Sequence, residues 1–450
     1  MILYKYKYQK GSIMNTPIHD FLEKYASLGA VRCHMPGGKG LNNPFDITEI
    51  SGADSLYESN GIILESENNA ASLFGSGAVC YSCGGSTLAI QAMLAVAAEV
   101  TGKKRIAAGR YCHKSLINTA VLLGLEISWL YPDSFLGTDI SPEAVEAAID
   151  EDTAAVFINS IDYYGSQADI AGISAVCRKK GVLLLVDNAH GAYRVFNGTH
   201  PILQGADMTA DSAHKTLPAL TGAAYLHLRD KSLFDRAKAA MFLFGSSSPS
   251  YLILDSLDLC NRFIEEKKSV AKAALQGVSG LKDRLSGMGF VLRKSDPMRI
   301  TVDACAAGYS GDGLAELLRE KGAECEMSDG RYVVLLFSVA QPEGDFKRLE
   351  EIFASVAVRE PIQPPVYPVI KPERVMLPRE AYFSRSEAVP TEKAVGRICA
   401  GVVSPCPPCV PVVMPGEIIS EEAAGLLKSF GIREIRVQSV DKPSSASSPT

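Results

Sequence analysis

No run in this sequence of 450 residues is both long and apolar enough to cross a membrane. The most apolar stretch, Thr87 to Val100, falls short of the roughly 20 residues a spanning helix needs, and Gln91 and Glu99 interrupt it. Positive charge is not in excess either. Lys and Arg number 45 against 51 Asp and Glu, a net charge of -6, so there is no surplus of basic residues to displace counterions from phosphates, and nucleic acid is not an expected partner. Met1 to Gly11 alternates Tyr and Lys with no apolar core, which does not read as a secretory signal; a cytoplasmic location is the expectation. The 11 cysteines are odd in number and scattered, which fits reduced thiols better than a disulfide framework. No internal repeat of fixed period is present, and no Lys-Ser/Thr follows a Walker spacing, which removes support for a nucleotide P-loop.

What is there reads as a well-filled globular chain. Hydrophobic residues make up 47% and charged residues 21%, and the length exceeds one ordinary core, so two domains are expected. The expected division is a non-core extension over 1–13, a major domain over 14–255, a connecting helix over 256–288, a small domain over 289–439 and a loose Ser- and Pro-rich tail over 440–450. From Ala78 to Arg229 short aliphatic runs alternate with helical stretches. Strands are predicted near Ala78–Ser82, Arg105–Ala108, Ile127–Tyr131, Ala154–Asn159, Val182–Asp187, Met208–Ser212 and Ala223–Leu228. Helices are predicted at Thr87–Val100, Ser115–Leu123, Pro142–Ile149 and Ile170–Lys180. This alternation predicts an α/β fold with a mainly parallel seven-stranded sheet covered by helices on both faces. Too little chain separates the last two strands for a crossover helix, so the final strand is expected to be antiparallel. A long helical segment, Ser256 to Leu285, then leads to a smaller α/β region with strands at Met298–Val302 and Tyr332–Phe337 and a helix at Gly311–Lys321. The Pro-rich stretch Pro361–Pro372 reads as a traverse.

Ligands of open α/β sheets bind at the carboxyl ends of the strands. Here those ends carry Gly84-Gly85-Ser86-Thr87, His113-Lys114-Ser115, Ser160 to Gly165, Asp187-Asn188-Ala189-His190 and Ser212-Ala213-His214-Lys215. The first offers a turn, two hydroxyls and the amides of a helix N-terminus, which favour a phosphate; an ordinary capped turn has the same look. Asp187 closes the most buried strand, where a carboxylate needs a cation, such as a protonated pyridine nitrogen, or a cap or salt bridge. His113 suits stacking on an aromatic ring or a structural hydrogen bond. Lys215, in a largely apolar setting ahead of Leu217-Pro-Ala-Leu220, is a candidate carbonyl nucleophile, where a random lysine is a solvated one. Phosphate cup, ring stacker, pyridine partner and amine occur together in the order that pyridoxal phosphate (PLP) requires.

These residues resemble the short form of the Orn/Lys/Arg decarboxylases, PLP enzymes of the aspartate-aminotransferase fold (fold type I), from about Asn15 to Glu417. The similar segments are Asp211-Ser-Ala-His-Lys-Thr-Leu-Pro-Ala-Leu220, Val186-Asp-Asn-Ala-His-Gly191, Cys112-His-Lys-Ser115, Ser247-Ser-Pro-Ser-Tyr251 and Val410-Pro-Val-Val-Met-Pro-Gly-Glu417. The resemblance implies that Lys215 is the Schiff-base lysine, that Asp187 holds the pyridine nitrogen and that His113 stacks on the ring. It implies a phosphate site at Gly85, Ser86 and Thr87 assisted by Ser212, with Ala189, His190 and His214 also at the cofactor. Ser246 and Ser247 would reach the phosphate from a neighbouring subunit, which implies a homodimer or higher homo-oligomer with composite sites. Glu417 would meet the distal cation of the substrate. The implied reaction is decarboxylation of arginine, lysine or ornithine to a polyamine-type amine, with His214 or Lys215 returning the proton. A counterpart of the N-terminal wing of the long family members is not expected here. Another enzyme of the same fold, an aminotransferase or a lyase, and a catalytically silent PLP-binding homologue stay as alternatives.

Three segments depart from the family pattern and bear on the substrate more than the cofactor. Pro36-Gly37-Gly38-Lys39 lacks a histidine at Gly38, Ile161-Asp-Tyr-Tyr-Gly165 has Asp162 where the family has threonine, and Cys406-Pro-Pro-Cys409 replaces Tyr-Pro-Pro-Gly. A metal site from Cys80, Cys83, Cys406 and Cys409 is not expected, since residues three apart on a strand face opposite sides.

Overall fold

The computed structural model describes residues 14–134, 137, 139–405 and 410–439. The expected extension, the expected tail and the Cys406-Pro-Pro-Cys409 segment lie outside the described residues. The strands of the large sheet are β1 (Ala78–Ser82), β2 (Arg105–Gly109), β3 (Glu126–Leu130), β4 (Thr153–Asn159), β5 (Leu183–Asp187), β6 (Met208–Ser212) and β7 (Ala224–Leu228). Their order is β1-β7-β6-β5-β4-β2-β3. The helices are α1 (Pro17–Ser27), α2 (Ile62–Phe74), α3 (Gly85–Thr101), α4 (Lys114–Leu123), α5 (Pro142–Ala148), α6 (Ile170–Lys180), α7 (Ala213–Thr216), α8 (Phe234–Phe244), α9 (Tyr251–Glu266), α10 (Lys268–Gly287), α11 (Gly311–Glu320), α12 (Glu343–Ala354), α13 (Pro378–Phe383) and α14 (Glu421–Ser429). The chain forms two compact units. One holds the residues up to Ala92 with Asn188–Gly280 and Phe337–Lys347, the other Met93–Asp187, Leu281–Leu336 and the chain from Arg348 onward.

In the first unit β7 pairs antiparallel with both β6 and β1. The antiparallel final strand expected from the short connection is therefore present. In the second unit β2 pairs parallel with β3 and β4, and β4 with β5. The side chains of β4 and β5 are buried almost throughout, as strands covered on both faces must be. The connecting helices start where short polar side chains supply a cap. Ser141 Oγ accepts from Ala144 N ahead of α5, and Asp169 accepts from Gly172 N ahead of α6. The second unit also carries β8 (Leu292–Arg293), β9 (Arg299–Asp303), β10 (Met327–Ser328) and β11 (Tyr332–Leu336), in the order β10-β11-β9-β8, and a ribbon of β12 (Ser386–Pro390) with β13 (Glu434–Gln438). Pro361–Pro372 is without regular structure, as a traverse should be.

One element departs from the sequence reading. The single helical segment expected from Ser256 to Leu285 is two helices, α9 and α10, broken at Lys267, whose backbone leaves the helical region at φ -111 and ψ 29. No glycine or proline marks the break, and the charged run Glu265-Glu-Lys-Lys268 continues the helical pattern through it.

Two of the three departures from the family pattern have local backbone causes. Gly38 sits at φ +67, and a Cβ there would lie 2.2 Å from the Asn43 carbonyl oxygen, so the site has no room for a histidine. Asp162 is buried and its Oδ1 accepts from Tyr164 N at 2.8 Å and Ser166 N at 2.9 Å, folding the loop after β4 on itself. Burial raises its carboxyl above the ordinary range, against those donors and nearby Arg293 and Arg299.

Candidate functional site

Lys215 stands on a short turn that is fastened from several sides. Beyond Ser212 the chain enters the four-residue α7, whose Thr216 takes up three bonds. Its Oγ1 accepts from Tyr193 N at 3.2 Å, and its carbonyl accepts from Val339 N at 3.0 Å and Ser338 Oγ at 3.3 Å. The Lys215 Nζ lies 3.0 Å from His190 Nε2. His214 directs Nδ1 to the Ala223 carbonyl at 3.0 Å, so that nitrogen carries its proton.

In the same unit the turn before α3 is folded on Ser82, whose Oγ accepts from Gly84 N at 3.1 Å and donates to the Gly85 carbonyl at 2.8 Å. Gly85 N donates to the Gly222 carbonyl at 2.8 Å. Gly85 is at φ +66, and open space surrounds the place a Cβ would take. Ser86 accepts from Ser212 Oγ at 2.9 Å, bringing together two hydroxyls predicted for one phosphate, while Thr87 is exposed on the first turn of α3. Open space at a helix N-terminus, a hydroxyl pair and a held amine are a donor set that fits a phosphorylated aldehyde.

Beneath the turn lies a buried network that the sequence reading missed. Asp211 Oδ2 accepts from His200 Nε2 at 2.8 Å and from Asn188 Nδ2 at 2.9 Å, and His227 Nε2 stands 3.8 Å away without a hydrogen-bond partner. Gly191 leaves space for Asn188, since a Cβ there would meet Asn188 Oδ1 at 2.1 Å. Burial alone would raise the Asp211 carboxyl, but the two imidazoles and its donors outweigh burial and hold it below the usual range. Burial pushes His227 down to about 3, against the pull of Asp211.

The pH consequence follows from the sign. His227 is neutral when folded and charges near its ordinary 6.5 when unfolded, so its contribution is fully present above that value and is lost as pH falls from about 6.5 toward 3. The slope is up to about 1.4 kcal/mol per pH unit. Depression of Asp211 adds to the loss only at still lower pH, through and below the ordinary 3.8 of its carboxyl. Urea unfolding at pH 4.5 and pH 7 checks this: His227→Gln is expected to narrow the stability difference between the two pH values, and an unchanged difference would show that His227 does not set it.

In the second unit Asp187 closes β5, buried, and its carbonyl accepts from Ser160 N at 2.9 Å. Burial, with the charge of Asp187 adding to it, pushes the neighbouring Tyr163 up to about 12. His113 caps α4: its Nδ1 accepts from Ser115 N at 3.2 Å and lies 2.9 Å from Ser115 Oγ, which fixes the ring. Cys112 beside it is buried, and burial lifts its thiol to about 12, far from a reactive thiolate. Arg331, just before β11, is tied to Asp303 at 2.6 Å.

Two further predicted site segments have only local partners among the contacts described. Ser246 and Ser247 are exposed beyond α8, where Ser246 Oγ accepts from Ser248 N at 3.2 Å. Glu417 is 1% exposed and is held by Arg110 within its own unit. Ala189 and His190 are buried in the turn after β5. Cys83 lies just past β1, with Sγ 3.7 Å from the Ser250 carbonyl; burial lifts its thiol to about 12, and Cys80 is also raised by burial.

Comparison with known proteins gives the same direction. The family model described as "Orn/Lys/Arg decarboxylase, major domain" matches residues 16–305, and "Orn/Lys/Arg decarboxylase, C-terminal domain" matches 362–435. The chain is 30% identical to YaaO of Bacillus subtilis, covering 94% of this chain and 96% of that protein. It is also 30% identical to an arginine decarboxylase of Bacillus subtilis, over 90% and 92%. Among solved structures it is similar to the lysine decarboxylase LdcF of Francisella novicida, with a TM-score of 0.77 at 16% identity over 94% of this chain and 81% of the other, a likeness of fold.

Proposed function

As a member of the Orn/Lys/Arg decarboxylase family the chain is a PLP-dependent amino-acid decarboxylase, and we propose that it removes carbon dioxide from a basic amino acid, arginine foremost, with Lys215 as the amine that carries the cofactor. The observation that carries this reading is Lys215 itself, on a turn fastened through Thr216 with its amine 3.0 Å from His190. The names of the relatives that match over nearly their whole length favour arginine.

When bound, PLP supplies the sink for the electron pair left as the bond between Cα and carboxylate breaks. Gly85, Ser86, Thr87 and Ser212 hold its phosphate, with Ala189, His190 and His214 lining the remainder. Asp187 would keep a cationic ring nitrogen charged, and His113, its ring fixed by Ser115, would be the residue to stack on the cofactor ring. Lys215 returns the proton to Cα, since His214 directs its Nδ1 proton to the Ala223 carbonyl.

Ser246 and Ser247 act in a second copy of the chain. They follow Phe242 and Leu243 at the end of α8, which are 54% and 71% exposed, as expected of residues that a homodimer covers. Among the described residues no helix is long and apolar enough to cross a membrane, and a cytoplasmic location is part of this reading.

The test is incubation of PLP-loaded protein with arginine, lysine, ornithine and a set of neutral amino acids, followed by mass spectrometry of amines and keto acids. Agmatine, cadaverine or putrescine is expected. Keto acids, or amines only from neutral amino acids, would overturn the substrate class.

A further inference from the structure

Glu417 ends the segment Val410-Pro-Val-Val-Met-Pro-Gly-Glu417, and the resemblance implies that it meets the distal cation of the substrate. Its surroundings assign it otherwise. Oε1 accepts from Arg110 Nη1 at 2.6 Å and Trp129 Nε1 at 3.1 Å; Oε2 accepts from Arg110 Nη2 at 2.8 Å and Met414 N at 2.7 Å. An ionised carboxylate has about four acceptor positions, and four donors fill them. Its charge is matched by a guanidinium in bidentate contact, and both side chains are almost wholly buried. A substrate ammonium or guanidinium finds neither an open lone pair nor an unpaired negative charge.

Arg110 is equally committed. It follows β2 directly, donates from Nε to the Pro411 carbonyl at 3.1 Å and from Nη2 to the Val412 carbonyl at 2.9 Å, and lies over the Trp129 ring at 4.7 Å. The segment from Pro411 to Glu417 is thus folded around one guanidinium. Three residues further on stands His113, and the turn between is closed by Cys112 N donating to the Arg110 carbonyl at 3.0 Å.

We propose that Arg110 and Glu417 are a pair of positioning residues: the C-terminal segment clamps the end of β2 and so sets the turn that presents His113, while the distal cation of the substrate is read elsewhere. The proposal rests on the decarboxylase reading for its kinetic part only. Its structural part has its own reporter, because Trp129 is the sole tryptophan of the chain and donates to Glu417.

The experiment compares PLP-loaded wild type with Glu417→Gln, Arg110→Met and the double variant Arg110→Met/Glu417→Met, reading Trp129 emission, the pyridoxal absorbance band, and kcat and KM for arginine, lysine and ornithine. Glu417→Gln keeps the shape of the side chain and removes its charge. It is expected to shift the Trp129 emission and to lower kcat by about 10²-fold, the scale of a small misplacement at the reacting centre. KM is expected to stay roughly level for the preferred substrate. Arg110→Met is expected to fall in the same direction. The double variant, which strands no buried charge, should recover folding and part of kcat relative to Arg110→Met.

A tenfold or greater rise in KM for Glu417→Gln, with kcat and Trp129 emission unchanged, would overturn the proposal and return Glu417 to the substrate. So would an Arg110→Met protein with wild-type kinetics and emission. If no amino acid is decarboxylated, the functional reading fails by itself. The clamp is still decided by Trp129 emission and the absorbance band, which should both change in Glu417→Gln and not in the control Glu343→Gln.

Discussion

Lys215→Ala is expected to reduce decarboxylation by roughly four orders of magnitude or more, the scale on which enzymes lose activity when the nucleophile is removed. The size follows from the two roles given to one amine: it carries the cofactor and returns the proton to Cα. Neighbouring lysines do not replace it, because the position is set by the turn and not by composition. Thr216, the next residue, is fastened through Tyr193, Ser338 and Val339, and the amine points to His190. The hydroxyls proposed to hold the phosphate, Ser86 and Ser212, remain, so the variant is expected to keep binding PLP non-covalently while the absorbance of the lysine-linked form is lost. Stopped-flow turnover together with the visible spectrum checks both. Wild-type turnover in Lys215→Ala would remove the residue from the chemistry.

Asp187→Asn is expected to lower kcat by about 10³-fold, comparable with deletion of one preorganised electrostatic group. Amide and carboxylate have nearly the same shape, so β5 and its bond from Ser160 N to the Asp187 carbonyl should survive, and melting of the variant should stay close to wild type. What would be lost is the negative charge proposed to keep a ring nitrogen protonated, so kcat should fall far more than KM rises. Equal kcat in the two proteins would assign Asp187 a structural role.

Much of the large sheet was legible because a strand covered on both faces shows itself as an unbroken aliphatic run. Leu183–Val186 is such a run, and the predicted strands agree with the observed ones to within a residue or so at each end. Lys215 was singled out for a related reason: strand ends in an open α/β sheet are few, and its neighbours at those ends made one set. The break at Lys267 was not legible, since no residue there opposes a helix.

The Arg110–Glu417 clamp and the Asp211 network join residues far apart in sequence. A signal for the first existed all the same. Arg110 follows the buried Ile106-Ala-Ala-Gly109, where an uncompensated cation is as costly as the carboxylate of Asp187, and that cost demanded an acid. Glu417 supplies it through a bidentate contact within its own unit. Gly38 and Asp162 show the same limit in reverse, for both are departures with an answer in the local backbone.

The central claim, that Lys215 is the residue bearing the cofactor, is tested most directly by reducing the PLP-loaded protein with borohydride, digesting it and mapping the pyridoxyl mass by tandem mass spectrometry. The account predicts the added mass on Lys215 in the peptide spanning Asp211-Ser-Ala-His-Lys215. The same mass on another lysine, or on none in a protein that decarboxylates arginine, would contradict it.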